Sequence, residues 1–409
     1  MNSSFPISRK IAWAIWLIAS VFYAYQYVLR VMPSILFGEI MSQFHIDAAT
    51  FGQFAGIYYI GYSIMHLPIG ILLDRYGPRK IMTICILLTV LGMAPLIFAT
   101  HWSFLILGRL LIGMGSSAAI LGVFKVIRLA FREERFSRIL SLSVTIGLIG
   151  AIYGGGPVDS MYRSFGYQAV IYSFAAVGVG LALATYWIAP NRKEPSEARA
   201  ISNIREVFGN SKVLMACLCA GLMVGPLEGF ADVWGTEFLK QVWDFDGPAA
   251  AKLPSLIYTG MCFGALILNF ISEKIGSDLL TIIGAGVAMA IAFILLLSAL
   301  PTLVLSFNFV MIGICSAYQI LAIYKASTYV RAQIAGLTTA IANMIIMIFG
   351  FIFHVVIGKV VEAFGGAGSS EALLLGIAVI PIALMLGVSG FAFLAFKERK
   401  ESILSRRKI

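Results

Sequence analysis

The sequence predicts an all-helical membrane protein, and its composition, its long apolar runs and the placement of its basic residues each point to that fold class. Of the 409 residues, 60% are hydrophobic and 12% are charged, whereas a soluble chain averages about 25% charged residues. Water would not solvate the surface of so apolar a chain. We therefore counted lipid-spanning segments rather than soluble domains.

Twelve apolar runs are long enough to cross a bilayer. A helix needs about 20 apolar residues to span a hydrocarbon core of about 30 Å, and backbone polar groups in lipid must be paired within helices or a closed barrel. The runs are too uniformly apolar for the alternating strands of a barrel. They cover residues 11–36, 50–73, 81–99, 102–127, 138–158, 167–189, 212–239, 253–272, 279–299, 302–326, 335–358 and 371–396.

Most of the 30 Lys and Arg residues fall in every second loop, beginning with Arg9 and Lys10 before the first run. Loops rich in Lys and Arg stay in the cytoplasm. The bias therefore predicts that both termini are cytoplasmic. It also accounts for the net charge of +10, so the high pI gives no reason to expect a nucleic-acid partner.

The longest polar interruption, residues 190–211, divides the runs into two sets of six. We therefore predict an N-terminal six-helix bundle over 1–189, a cytoplasmic linker over 190–211, and a C-terminal six-helix bundle with a basic tail over 212–409. A weak internal repeat relates the two pseudo-symmetric bundles. At shifts of 199 or 200 residues, the matches are Tyr59 with Tyr258, Gly61 with Gly260, Gly77 with Gly276, Gly113 with Gly313, and Lys125 with Lys325. Such repeats occur in transporters whose halves move about a central site.

Residues 70–80 closely resemble the signature of the major facilitator superfamily in the loop between helices two and three. The match is carried by Gly70, Asp74, Arg75, Gly77, Arg79 and Lys80, and it departs from the usual pattern at Pro78. Residues 109–115 resemble the fourth-helix motif through Arg109 and Gly113, and residues 147–157 loosely resemble the fifth-helix Gly-Pro motif. The resemblance implies the major facilitator fold and transport by alternating access.

The loop signature has a physical reading as a cytoplasmic gate. Asp74 lies at a helix end, where it is expected to accept hydrogen bonds from Arg75, Arg79 or a neighbouring helix N-terminus when the gate is closed. Gly70 is expected to allow close helix approach. Residues 147–157 are expected either to let the fifth helix bend, because Pro157 lacks a backbone donor, or to form a glycine-rich helix interface. The alternative for the loop is a solvated, positively charged turn. We expect Arg109 to hold helix one or a carboxylate rather than the substrate.

Among the charged side chains inside predicted spans, Arg30 in the first span and Glu228 and Asp232 in the seventh lie at similar depth. Placing such a group in mid-bilayer costs about 2.5–3.5 kcal/mol on insertion scales, so it needs a partner, a wet cavity or a function. We predict that Arg30 pairs with Glu228 or Asp232 across the two halves and that one carboxylate accepts a proton. The alternative is a permanent ion pair that fixes helix packing.

Lys125 and Lys325 occupy equivalent places in the fourth and tenth spans, where two ammonium groups would attract a carboxylate or phosphate. The alternative is that both extend to the lipid headgroups. In the resembled family, helices one, four, seven and ten line the cavity. The predicted substrate-binding residues are therefore Tyr23, Gln26, Tyr27, Arg30, Lys125, Tyr318, Gln319 and Lys325.

Residues 22–34, 58–62 and 67–70 look like the branch that carries nutrients, either amino acids or nucleosides, into bacteria living in phagosomes, and more distantly like lysosomal dipeptide uniporters. We expect a transporter in a bacterial inner membrane that works as a monomer on a small polar or zwitterionic solute, together with protons. Alternatives are an uncoupled facilitator of dipeptides or organic anions and a membrane sensor.

The sequence contains no zinc-binding helix motif, nucleotide loop or Ser/His/Asp grouping, so we expect no enzyme activity, catalytic residue, metal or cofactor.

Overall fold

The computed structural model describes residues 8–190, 200–298 and 300–406. Of these residues, 89% are helical, and none lies in a strand. Twelve helices are long and apolar enough to cross a membrane: α1 (Arg9–Ser34), α2 (Ala48–Tyr76), α3 (Pro78–Phe98), α4 (Trp102–Ala130), α5 (Glu133–Gly154), α6 (Gly156–Ile188), α7 (Ser211–Trp243), α8 (Gly247–Ile275), α9 (Asp278–Leu296), α10 (Thr302–Ser327), α11 (Ala332–Ala363) and α12 (Ser370–Glu401). The predicted all-helical membrane fold is confirmed.

The chain falls into two compact units, Met1–Glu197 and Ala198–Ile409. Unit 1 holds α1 to α6 and unit 2 holds α7 to α12. Part of the predicted linker forms a further helix, Ala200–Gly209, whose Glu206 carboxylate accepts a 2.7 Å hydrogen bond from Arg331. Linker residues 191–199 and tail residues 407–409 lie outside the described residues.

In unit 1, α2 and α4 cross at a pair of glycines. A Cβ atom at Gly61 of α2 would lie 2.4 Å from the carbonyl oxygen of Leu110, and one at Gly113 of α4 would lie 2.0 Å from that of Tyr58. These distances are shorter than van der Waals contact, so only glycine lets the two backbones come this close. The fourth-helix motif glycine is therefore a helix-packing residue.

Unit 2 repeats this crossing between α8 and α10. A Cβ atom at Gly260 would lie 2.1 Å from the carbonyl oxygen of Val310, and one at Gly313 would lie 1.9 Å from that of Ile257. Two of the three glycine matches, Gly61 with Gly260 and Gly113 with Gly313, are thus points at which helices touch. The backbone next to Tyr258 is fixed by this contact.

The start of α6 differs from the prediction. Pro157 lies in the first turn of α6 and does not bend α5, which ends at Gly154. A proline in a first turn is tolerated because the N–H it lacks would have no helical partner. Gly166 then interrupts α6 with φ 82° and ψ 172°, a conformation that glycine adopts readily. The helix after this break agrees with the predicted span 167–189.

Gly313→Ala is expected to destabilise the protein by about 1–3 kcal/mol, the usual range for overpacking, because its methyl group would overlap the carbonyl oxygen of Ile257. Gly284→Ala is the matched control: it lies within α9, and a Cβ atom there would meet nothing within 4 Å. The measurement is the thermal unfolding midpoint in detergent. A midpoint for Gly313→Ala equal to or above that of Gly284→Ala would contradict the proposed crossing.

Candidate functional site

The buried cation of α1 lies among tyrosine rings. Arg30 is 5% exposed, and its guanidinium carbon lies 5.0 Å from the ring centroid of Tyr27 and 5.3 Å from that of Tyr59. A cation over an aromatic face is attracted by the electrons of the ring, most strongly where water is excluded. The tyrosines therefore stabilise the positive charge inside the helical bundle.

Arg109 of α4 holds the backbone of α1 beside Arg30. Its two terminal nitrogens donate hydrogen bonds to the carbonyl oxygens of Leu29 at 2.6 Å and Arg30 at 2.8 Å. The helix cannot supply a donor to Leu29 because the residue four positions later is Pro33, which has no N–H. Arg109 replaces that missing donor, and so fixes the backbone that carries Arg30.

The remaining candidates on α1 contact neighbouring tyrosines and α5. Gln26 is 3% exposed, and its side-chain oxygen accepts a 2.6 Å hydrogen bond from the hydroxyl of Tyr58. The hydroxyls of Tyr23 and Tyr27 lie 3.5 Å apart. Tyr23 packs against Gly147 of α5, where a Cβ atom would lie 2.6 Å from its ring. Polar side chains thus extend along α1 next to Arg30.

In unit 2, the two acids of α7 lie on a stretch of π-helix, Gly225–Trp234. This wider helix is rare and occurs often at functional sites. Glu228 is 1% exposed and Asp232 is fully buried. The hydroxyl of Tyr258 on α8 donates a hydrogen bond to Oδ1 of Asp232. Tyr258 is the repeat counterpart of Tyr59, so each unit uses the same tyrosine position to contact an ionisable group.

The α10 candidates lie beside α7. The hydroxyl of Tyr318 donates a 2.6 Å hydrogen bond to the carbonyl oxygen of Ala220, shortly before α7 changes to π-helix. Gln319 is 8% exposed, and among the described residues its Nε2 has no hydrogen-bond partner. Tyr318 therefore supports the backbone of α7, while Gln319 keeps a donor for another group.

Both candidate lysines have carboxylate partners within their own units. Lys125 Nζ lies 2.8 Å from Oδ1 of Asp74, and Lys325 Nζ lies 3.1 Å from Oε1 of Glu398 on α12. Asp74 was expected to accept hydrogen bonds from Arg75, Arg79 or a neighbouring helix N-terminus; within unit 1 it accepts one from Lys125, which α4 brings to the end of α2. The predicted role of the lysines in substrate binding stays a prediction.

The other residues of the loop signature serve the turn between α2 and α3. Gly77 has φ 82° and Pro78 begins α3, so a left-handed glycine and a helix-starting proline make the reversal. The side chain of Arg79 donates a 2.7 Å hydrogen bond to the carbonyl oxygen of Ala189 after α6. The guanidinium of Arg75 lies over the ring of Tyr76, and Lys80 is exposed.

The expected role of Gly70 is wrong. A Cβ atom there would meet nothing within 4 Å, so no close helix contact requires glycine at this position. The close approach on α2 occurs instead at Gly61, more than two turns earlier.

Tyr329, which lies beyond the end of α10, packs against Lys325, whose ammonium nitrogen is 5.2 Å from the centroid of the tyrosine ring. Burial raises the pKa of the Tyr329 hydroxyl, so the ring beside the lysine is a neutral phenol. Within the described ranges, no group of three or more His, Cys, Asp or Glu side chains is placed to hold a metal ion.

Sequence reasoning missed three partners: Tyr59, Tyr258 and Glu398. Tyr59 and Tyr258 carried a usable signal, because they matched each other in the internal repeat and followed the helices that hold the charges. They were set aside because cavity lining was assigned to helices one, four, seven and ten alone. Glu398 gave no signal, since it lies among alternating charges at the end of the last helix.

Solved structures share this fold over nearly the whole chain. A bacterial homologue of the human lysosomal transporter Spinster, in an inward-facing and occupied conformation, aligns with a TM-score of 0.74 at 16% identity, covering 95% of this chain and 98% of that one. The nucleoside transporter NupG aligns with a TM-score of 0.77 at 15% identity, covering 94% and 98%. At these identities the likeness establishes the fold.

Curated relatives match by sequence over part of their length. The uncharacterized transporter YybO of Bacillus subtilis is 25% identical over 287 residues, which are 61% of this chain and 63% of YybO. NicT of Pseudomonas putida, named as a metabolite transport protein, is 26% identical over 191 residues, 44% of this chain and 43% of NicT. The sequence profile of the Major Facilitator Superfamily matches residues 15–354. The chain belongs to the Major Facilitator Superfamily.

Proposed function

We propose that this transporter is a symporter that moves a small polar or zwitterionic nutrient, such as an amino acid or a dipeptide, together with protons by alternating access. The observation that supports this proposal best is that α1 buries a cationic side chain and α7 buries two acidic side chains. Arg30 is 5% exposed, Glu228 is 1% exposed and Asp232 is fully buried. Burying charge within membrane-spanning helices is costly, and it marks substrate and proton pathways.

The signs of the charges favour a zwitterion. A guanidinium binds a carboxylate through paired, charge-assisted hydrogen bonds, and a carboxylate binds an ammonium group. An amino acid or a dipeptide carries both groups. NupG is a nucleoside transporter by name, so nucleosides are the second solute class to test. Arg30 and the two acids lie in different units, and their pairing stays a prediction.

Proton coupling rests on the chemistry of the two acids. A carboxylate excluded from water is disfavoured as an ion, whereas a nearby cation or hydrogen-bond donor favours it. Changes in hydration and in partners during transport would therefore make one of the acids take up and release a proton. We place the protein in a bacterial inner membrane as a monomer, with both termini in the cytoplasm.

Glu228→Gln and Asp232→Asn, made separately, are expected to remove pH-gradient-driven accumulation in at least one variant, because an amide cannot exchange the proton that couples transport. The measurement is uptake into proteoliposomes with and without a pH gradient, using a labelled amino-acid mixture, glycylsarcosine and uridine. Solute exchange at equal pH should persist, since exchange needs no net proton transfer.

Glu237→Gln is the matched control, because Glu237 is a buried acid at the end of the same helix, with Gln241 and Lys240 as partners. It should keep gradient-driven uptake. If both Glu228→Gln and Asp232→Asn keep the full pH dependence, coupling through this pair is wrong, and an uncoupled facilitator becomes the better description.

We also propose that Asp74 and Lys125 form a latch at the cytoplasmic gate. Lys125 is 6% exposed and Asp74 is 49% exposed at the side chain, so removing the carboxylate leaves a nearly buried ammonium without this partner. Asp74→Asn and Lys125→Met are each expected to lower transport about tenfold, since a hydrogen bond to a charged group contributes about 1.5–3 kcal/mol.

The double exchange Asp74→Lys with Lys125→Asp distinguishes a latch from a binding site. A latch needs only the opposite charges, so initial uptake should recover at least in part. If Lys125 instead binds the solute, the exchanged protein should remain as impaired as Lys125→Met, with a raised KM, which would contradict the latch.

A further inference from the structure

The hydrogen bond from Tyr258 to Asp232 lies wholly within unit 2 and away from water. Tyr258 and Asp232 are both fully buried, and the tyrosine hydroxyl donates to Oδ1 of the acid. We propose that Tyr258 is the positioning residue for Asp232, holding its carboxylate in the orientation from which it exchanges a proton. The inference rests on the proposed function, and it names a residue outside the helices to which the site was assigned.

The backbone around Tyr258 is held on both sides. Gly313 of α10 abuts the carbonyl oxygen of Ile257, and Gly260 abuts that of Val310. Because no side chain lies between α8 and α10 at these points, the two backbones are in direct contact. The Cα atom of Tyr258 must therefore move when α10 moves. A shift of α10 would therefore reach Asp232 through one rigid ring.

The helical segment that carries Asp232 has a backbone geometry that can change. Its π-helical turns run from Gly225 to Trp234, and such turns interrupt the regular helical pattern. Within this segment Phe230 packs against Phe293 and Phe309, with ring centroids 5.3 and 5.7 Å apart. In such apolar surroundings a hydrogen bond is electrostatically stronger than in water.

The chemistry of the pair distinguishes the two protonation states of the acid. A carboxylate only accepts hydrogen bonds, and a phenol has one proton to donate. When Asp232 takes a proton, it gains a donor of its own, and the bond that it accepts from Tyr258 weakens because the acceptor is no longer charged. Tyr258 is thus placed to couple proton exchange at Asp232 to the position of α10.

Tyr59, the counterpart of Tyr258 in unit 1, contacts a cation, and it does so with its ring face instead of its hydroxyl. Tyr59 presents its ring face to the guanidinium of Arg30, with 5.3 Å from the guanidinium carbon to the ring centroid. Tyr258 presents its hydroxyl to a carboxylate. The repeated tyrosine thus serves an ionisable group of the preceding spanning helix in both units.

The test compares Tyr258→Phe with Tyr25→Phe in proteoliposomes, using whichever of the amino-acid mixture, glycylsarcosine and uridine the wild type exchanges fastest. Tyr25 is a buried tyrosine outside the site whose hydroxyl donates to the carbonyl oxygen of Phe174 at 3.0 Å. Tyr258→Phe should lower gradient-driven uptake about tenfold, with counterflow rate and KM within about threefold of wild type. Tyr25→Phe should leave both assays within that range.

A positioning role also predicts that transport depends on the length of the acidic side chain at position 232. Asp232→Glu keeps the charge and moves it by one methylene, so it should lower gradient-driven uptake much more than counterflow. This variant tests the inference even if Tyr258→Phe fails to fold.

Unchanged gradient-driven uptake in Tyr258→Phe, or in Asp232→Glu, would overturn the inference. A parallel fall of uptake and counterflow in Tyr258→Phe would also overturn it, since that result indicates a structural role alone. The proposed function has a separate readout: if Asp232→Asn loses gradient-driven uptake while Tyr258→Phe keeps it, only the positioning role fails. If the wild type exchanges none of the probes, the proposed function fails first.

Discussion

The constraint on which this structure depends is that a polar or charged group inside a membrane must find its partner within the protein. The cation Arg30 lies against the rings of Tyr27 and Tyr59, and Asp232 accepts a hydrogen bond from the hydroxyl of Tyr258. Arg109 bonds the carbonyl oxygen of Leu29, which Pro33 leaves without a helical donor, and also that of Arg30. A site of this kind is stable only while each partner stays in place, so any movement of the helices has to exchange partners.

Two glycine crossings set the positions of those partners. Gly113 and Gly313 bring α4 and α10 against the backbones of α2 and α8, directly beside the tyrosines that contact the ionisable groups. Small residues drive helix association in lipid because close packing replaces the missing hydrophobic force. The same contacts that hold each bundle together therefore also place its polar side chains.

Much of this arrangement could be predicted from the sequence, because apolar runs and the cost of burying charge are local properties. The twelve helices and the buried residues Arg30, Glu228 and Asp232 were predicted in this way. Partner choice was not predictable, since Lys125 meets Asp74, and Lys325 meets Glu398, through contacts between residues far apart in sequence. Gly70 was misread because a motif indicates which residue is present, whereas the neighbouring backbone decides whether glycine is needed.

The central claim is that the protein moves its solute together with protons, which one of the buried acids of α7 takes up and releases. Its most direct measurement is the luminal pH of wild-type proteoliposomes that contain a trapped pH indicator, after addition of solute without an imposed pH gradient. Proton coupling predicts that the lumen acidifies as the solute enters, and that a protonophore abolishes this change. Solute entry at constant luminal pH would contradict the account.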